Sequence, residues 1–178
     1  LEYIQSIASF STYTENIDFI ASSSKINYRL RAYHQKSENS YEYKDVFGDN
    51  DLLRRVGAGY LSKGMMHELN LKTNNTIFGA RLWYNKSDRD LPGSIEYPTV
   101  AGNERQSDES LRAILLFNSY FDKVKVEGKF AYNSDWMNYI NDMWSIDSRN
   151  LVKSVNARLN GSYSISSTSD LNFGLDLR

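Results

Sequence analysis

From Val124 to Trp136 apolar and polar residues alternate. Val124, Val126, Gly128, Phe130, Tyr132 and Trp136 fall on one side, and Lys125, Glu127, Lys129, Asn133 and Asp135 on the other. Successive side chains of a strand point to opposite faces, so this pattern predicts a β-strand with one oily and one charged face. The segment exceeds the usual globular strand of about 5–6 residues. It is long enough to cross a bilayer at a tilt, which takes about 9–11 residues.

Four further segments agree. Lys153, Val155, Ala157, Leu159, Gly161, Tyr163 and Ile165 alternate with Ser154, Asn156, Arg158, Asn160, Ser162 and Ser164. Leu171, Phe173, Leu175 and Leu177 oppose Asp170, Asn172, Asp176 and Arg178. Phe78, Ala80, Leu82 and Tyr84 face away from Arg81, Trp83 and Asn85, as Ile26, Tyr28, Leu30 and Ala32 do from Asn27, Arg29 and Arg31. Other stretches are less regular. Residues 56–73 change phase between Val56, Ala58, Tyr60 and Leu69, Leu71, which predicts a β-bulge near Lys63-Gly64-Met65. The run Ile114–Phe117 leaves the facing of 111–119 open, and residues 1–22 are expected to hold two strands joined near Thr12-Tyr13.

The connections add a second regularity. Short links are expected near Ser22–Ser24, Thr73–Asn75, Tyr120–Lys123 and Ser166–Ser169, and long polar links at 38–53, 88–108 and 138–149. Alternating short and long links describe an up-and-down barrel with short turns on one rim and long loops on the other. The expected fold class is therefore all-β: an antiparallel up-and-down transmembrane β-barrel, with about nine strands in the single unit 1–178. A soluble β-sandwich is the alternative, with the charged face in water and the oily faces stacked. It needs shorter strands and gives no reason for the link lengths. Both ends fall in mid-pattern, at Leu1 and at Leu177-Arg178, so the chain is expected to be part of a longer protein.

Composition fits this reading. Mean hydropathy is −0.57, and no apolar run reaches the length of a membrane-spanning helix. A barrel strand hides its lipid face by alternation, so low mean hydropathy does not argue against it. Thirteen Tyr, three Trp and eight Phe supply rings for interfacial girdles. Trp136, Tyr139 and Trp144 are expected to form such an aromatic belt. A net charge of −1 lacks the basic stripe of a nucleic-acid binder. There is no cysteine for a disulfide or thiolate site. His34 and His67 lack ligand-spaced partners, and no nucleophile–base set or phosphate loop appears, so no enzyme is expected.

Several stretches resemble a known family. Ser9–Tyr13, Asn27–Tyr33 and Ser37–Tyr43 look like the first barrel strands of TonB-dependent outer-membrane receptors. So does Leu82–Arg89 running into Leu91-Pro92-Gly93, with a polar return through Asn103–Asp108. Within that family the chain is most similar to the vitamin B12 (cobalamin) receptor-like branch. The resemblance implies a barrel of about 22 strands with a plugged lumen, in the outer membrane of a Gram-negative bacterium. It also implies energised uptake of a scarce, large ligand such as cobalamin or an iron complex. The partners it implies are outer-membrane lipid, the TonB complex acting through a plug domain outside this sequence, and a surface lipoprotein; no nucleic acid is implied. A structural or adhesive barrel without transport stays open as an alternative, as does a soluble carbohydrate-binding sandwich.

Two loops carry candidate sites. Asp45, Asp49 and Asp51, with Asn50, cluster their oxygens as calcium sites do. The family resemblance implies calcium held by aspartates of early loops, although the spacing departs from an EF-hand. A solvated acidic loop is the plainer reading. Between 88 and 108, Arg89, Tyr97, Asn103, Arg105 and Gln106 can hydrogen-bond and stack on a polar ligand, and loops on a rigid scaffold commonly bear function.

Overall fold

The computed structural model describes residues 1–45, 48–49, 51–93 and 104–178. Among the described residues there are eleven strands: β1 (Glu2–Ala8), β2 (Thr12–Ser22), β3 (Ile26–Ser37), β4 (Glu42–Lys44), β5 (Leu52–Arg54), β6 (Tyr60–Lys72), β7 (Thr76–Leu91), β8 (Glu104–Phe121), β9 (Val124–Asn141), β10 (Ile146–Ser166) and β11 (Ser169–Leu177). Nine of them form one sheet in the order β1-β2-β3-β6-β7-β8-β9-β10-β11, and β4 and β5 form a separate hairpin. Every pairing is antiparallel. The strands of the large sheet lie in chain order, with only the β4–β5 hairpin set aside between β3 and β6, as in an up-and-down meander. The sheet is open, with β1 and β11 as its edges.

Directly opposed residues share a face, so the register sorts every side chain into one of two faces. Rows of paired residues run across the sheet. One row reads Ile26, Leu71, Phe78, Phe117, Gly128, Leu159 and Leu175; the next reads Ala21, Tyr28, Leu69, Ala80, Leu115, Phe130, Ala157 and Leu177. Above them lies Phe19, Leu30, His67, Leu82, Ala113, Tyr132 and Val155, and then Tyr3, Ile17, Ala32, Met65, Tyr84, Leu111, Ser134 and Lys153. The following row on the same face is Gln5, Glu15, His34, Lys63, Lys86, Glu109, Trp136 and Leu151. An apolar band thus crosses the sheet and gives way to polar side chains within one row.

The opposite face is polar and internally paired. Asp18 receives Arg29 at 2.5 Å and Arg31 at 3.2 Å, Glu68 pairs with Arg81 at 3.1 Å, and Asp108 pairs with Arg89 at 2.9 Å. Asp135 and Asp176 hold Arg112 and Arg158 at 3.4 and 2.6 Å. The cross-strand neighbours of each guanidinium supply its carboxylate, which is the stabilising unit of a sheet surface.

Among the described residues, no second layer covers the apolar band. Among the described residues Ala58, at 8% exposure, is the one buried hydrophobic residue. The accessible surface is 12291 Å², against about 8,800 Å² for a compact monomer of this mass. A two-layer domain buries one face of each layer; this sheet is a single layer.

The structure corrects four details of the sequence reading. The register between β3, β6 and β7 runs without a shift, so there is no bulge at Lys63-Gly64-Met65. Val56 and Ala58 precede the strand, which begins at Tyr60, and their phase is irrelevant to it. The link expected at 138–149 is the tight turn 142–145, and strict alternation of short and long links fails there. The first connection is 9–11 rather than Thr12-Tyr13. The links 23–25, 73–75, 122–123 and 167–168 are all short and share one rim, as expected. The opposite rim carries 9–11, 38–59, 92–103 and 142–145.

Candidate functional site

The rim with the long links gathers most of the candidate residues, though on strand ends rather than in loops. β7 extends to Leu91 and β8 begins at Glu104, so Arg89, Arg105 and Gln106 belong to the sheet. All three line a cleft of about 510 Å³ at this rim, with Lys36, Glu38 and Asp90. Arg89 and Gln106 are direct cross-strand partners and converge on one carboxylate. Asp108 Oδ2 accepts from Arg89 Nη2 at 2.9 Å, and its two oxygens accept from Gln106 Nε2 at 2.9 and 3.1 Å. Asp108 thereby fixes both donors in place.

Arg105 is one residue out of phase and lies on the opposite face, with its guanidinium 3.8 Å from Asp142 in the turn. Tyr97 and Asn103 lie outside the described residues. Beside Gln106 the polar face continues through Tyr139, whose hydroxyl donates to Glu104 Oε2 at 2.9 Å and accepts from Asn141 Nδ2 at 3.3 Å. Tyr139 therefore does not join a belt on the apolar face. Trp136 stands on that face at the upper border of the band, and Trp144 sits on the turn, 72% exposed.

The aspartates of the candidate calcium site flank the β4–β5 hairpin tip. Asp45 N donates to Asp51 O at 2.9 Å, and Asp45 Oδ1 accepts from Gly48 N, three residues on, at 3.0 Å. Asp49 lies within the tip, and Asn50 is outside the described residues. Among the described residues no three acidic or histidine groups come together as metal ligands.

Arg55 escaped the sequence reading. It is 8% exposed, its backbone N–H donates to Tyr41 O at 2.7 Å, and its guanidinium donates to Gly93 O. Asp90 N also donates to Gly59 O at 2.8 Å. These bonds tie the link 38–59 to the end of β7, where the second long link starts. An arginine in a polar loop has no signature that separates it from a solvated one.

Inside the apolar band, Tyr28 Oη lies 2.7 Å from His67 Nδ1, so each satisfies the other. On the polar face Tyr33, Ser62, Asn85, Ser110 and Asp135 line a groove of about 250 Å³. Ser87 and Asp108 also line it, and the Tyr33 hydroxyl contacts Ser62 Oγ and Asn85 Oδ1, both at 3.3 Å. The arrangement can hydrogen-bond a polar ligand and offers no nucleophile–base pair.

No protein-family model matches the chain, and no curated protein is similar to it.

Proposed function

We propose that the chain is part of the wall of an outer-membrane β-barrel, and that this barrel is a TonB-dependent transporter for a scarce, large ligand such as cobalamin or an iron complex. The observation that carries the membrane reading is the uncovered apolar band spanning the sheet. From Val126 to Ser134 the band measures about 27 Å along β9 at about 3.4 Å per residue. A strand tilt of about 40° reduces this to about 20 Å, comparable to the apolar belt of about 25 Å on such barrels. A soluble protein has no use for so large an exposed apolar surface unless another layer covers it. The paired charges on the other face suit a water-filled lumen, where each ion pair keeps its hydration. Open edges at β1 and β11 suit a sheet continued by further strands, since closure alone removes edges.

The transporter reading rests on the family resemblance and on the rim, where Arg89, Gln106 and Asp108 present an ordered polar surface beside the cleft. Two measurements on the intact protein test it. Detergent-extracted protein should migrate faster before boiling than after, as folded barrels do; full solubility without detergent would remove the membrane reading. Deleting the gene should abolish growth on limiting cobalamin or on a limiting iron complex. Normal growth on both would leave a barrel without energised uptake.

A further inference from the structure

The turn 9–11 joins β1 to β2 on the long-link rim, above the polar row that bounds the apolar band. Two consecutive non-glycine residues in it adopt left-handed backbone, Phe10 with φ 62° and Ser11 with φ 56°. A bulky aromatic residue is rarely found there, because its Cβ crowds the backbone. Neighbouring groups hold the strained turn in place. The Phe10 carbonyl accepts from Ser37 Oγ at 3.0 Å and from Asn39 N at 3.2 Å. Ser37, only 3% exposed, also shares a hydrogen bond of 2.8 Å with Thr12 Oγ1.

The ring held this way is not buried: Phe10 is 51% exposed. It meets Tyr41 edge to face at 5.9 Å and 64°, and Tyr41 meets Tyr43 at 6.5 Å and 64°. The Arg55 N–H on the Tyr41 carbonyl anchors the middle ring. Three rings therefore step along the rim on a braced backbone. Glycine would occupy position 10 without strain, so the fold itself does not call for phenylalanine. Burial does not explain it either, since half the ring stays in water.

The surroundings specify the chemistry. Small neutral residues flank the rings in sequence: Ser9, Ser11, Asn39 and Ser40. Two of the nearby cations are engaged, Arg54 with Nε donating to Ser40 Oγ at 2.7 Å and Arg55 with its guanidinium donating to Gly93 O. Glu38, Glu42 and Lys44 lie in the same segment and leave it without the cationic excess that an anionic ligand needs. Ring faces are negative and attract the weakly positive C–H face of a saturated ring, while hydroxyl and amide side chains meet its polar edge. We propose that Phe10, Tyr41 and Tyr43 form a shelf that binds a neutral oligosaccharide by stacking on its sugar rings. The proposal rests on the outward placement of this rim in the barrel reading, and not on which ligand is transported.

The test uses the intact protein in lauryldimethylamine oxide, which carries no sugar, titrated calorimetrically with maltoheptaose and with cellohexaose. At least one should bind at millimolar concentration or below. Phe10→Gly, which keeps the turn and removes the ring, should weaken that binding tenfold or more, as should Tyr41→Ala. Phe10→Trp should restore it, and Trp144→Ala, on the same rim, should leave it within twofold. Absence of binding by both sugars, or equal binding by Phe10→Gly and the unaltered protein, overturns the proposal. Heat-modifiable migration of the same samples reports the barrel separately. Migration kept without sugar binding removes the shelf alone, and migration lost in the unaltered protein removes the barrel reading as well.

Discussion

Two glycines on the apolar face lie directly opposite aromatic rings: Gly128 faces Phe117, and Gly161 faces Phe173. A methyl group added at either would fall inside the facing ring. The ring lies over the glycine and covers backbone that would otherwise be bare, a recurrent device of sheets. Gly128→Val should therefore lower stability by about 1–3 kcal/mol through overpacking, read as an earlier heat-modification transition. Adding Phe117→Ala should recover part of that loss, because the two positions are coupled; strict additivity would show that the ring is not the obstacle. Charged residues make a second contrast. Asp18 serves two arginines and its side chain is 23% exposed, so Asp18→Asn should lower the heat-modification transition. Asp147 pairs with Arg149 at 2.8 Å on an open strand end, side chains 50% and 68% exposed, and Asp147→Asn should change stability by less than about 0.5 kcal/mol. None of this was legible in the residues alone. A glycine's partner is known only once the register is known, and register depends on every turn before it.

At the scale of strands, the alternating segments were readable and their ends were not. β9 was expected to stop at Trp136 and runs to Asn141; β8 begins at Glu104 rather than after the loop; β10 begins at Ile146. The cause is common to all three. Above the band both faces meet polar surroundings, so Asn138 and Ser107 sit where lower rows hold Phe130 and Leu115, and the period-2 signal vanishes. The ladder's backbone hydrogen bonds continue regardless. For the same reason Arg89 and Gln106 look like loop residues in the sequence, and nothing there marks Asp108, which joins them. The β4–β5 hairpin was illegible too, since three-residue strands carry no pattern. Position along a strand therefore sets the cost of a charge. Phe130→Arg should cost about 2–4 kcal/mol or block assembly, whereas Asn138→Arg, on the same face of the same strand, should cost about 0–1 kcal/mol. Folded yield and transition temperature in outer-membrane preparations report both; equal effects would deny that the band marks a boundary.

At the scale of the whole molecule, nine of the described strands form a single antiparallel layer with an oily face and a salt-bridged face, and β4–β5 stands apart from it. Its nine-strand order follows the chain, through short turns on one rim and links of mixed length on the other, and that much the alternation and turn residues announced. Among the described residues no helix is long and apolar enough to cross a membrane; that leaves strands untouched, and the low mean hydropathy of −0.57 is what alternation produces. The membrane reading therefore turns on what the apolar band touches. The sequence has no cysteine, so single cysteines can be placed along β9 and spin-labelled without background. Labels on the intact protein in lipid at 126, 128, 130, 132 and 134 should be accessible to oxygen and shielded from a water-soluble nickel complex. Labels at 127, 129, 131 and 133 should show the reverse, and the pattern should end at 138. Even and odd positions equally open to the nickel complex, or even positions immobilised against protein, would contradict the account.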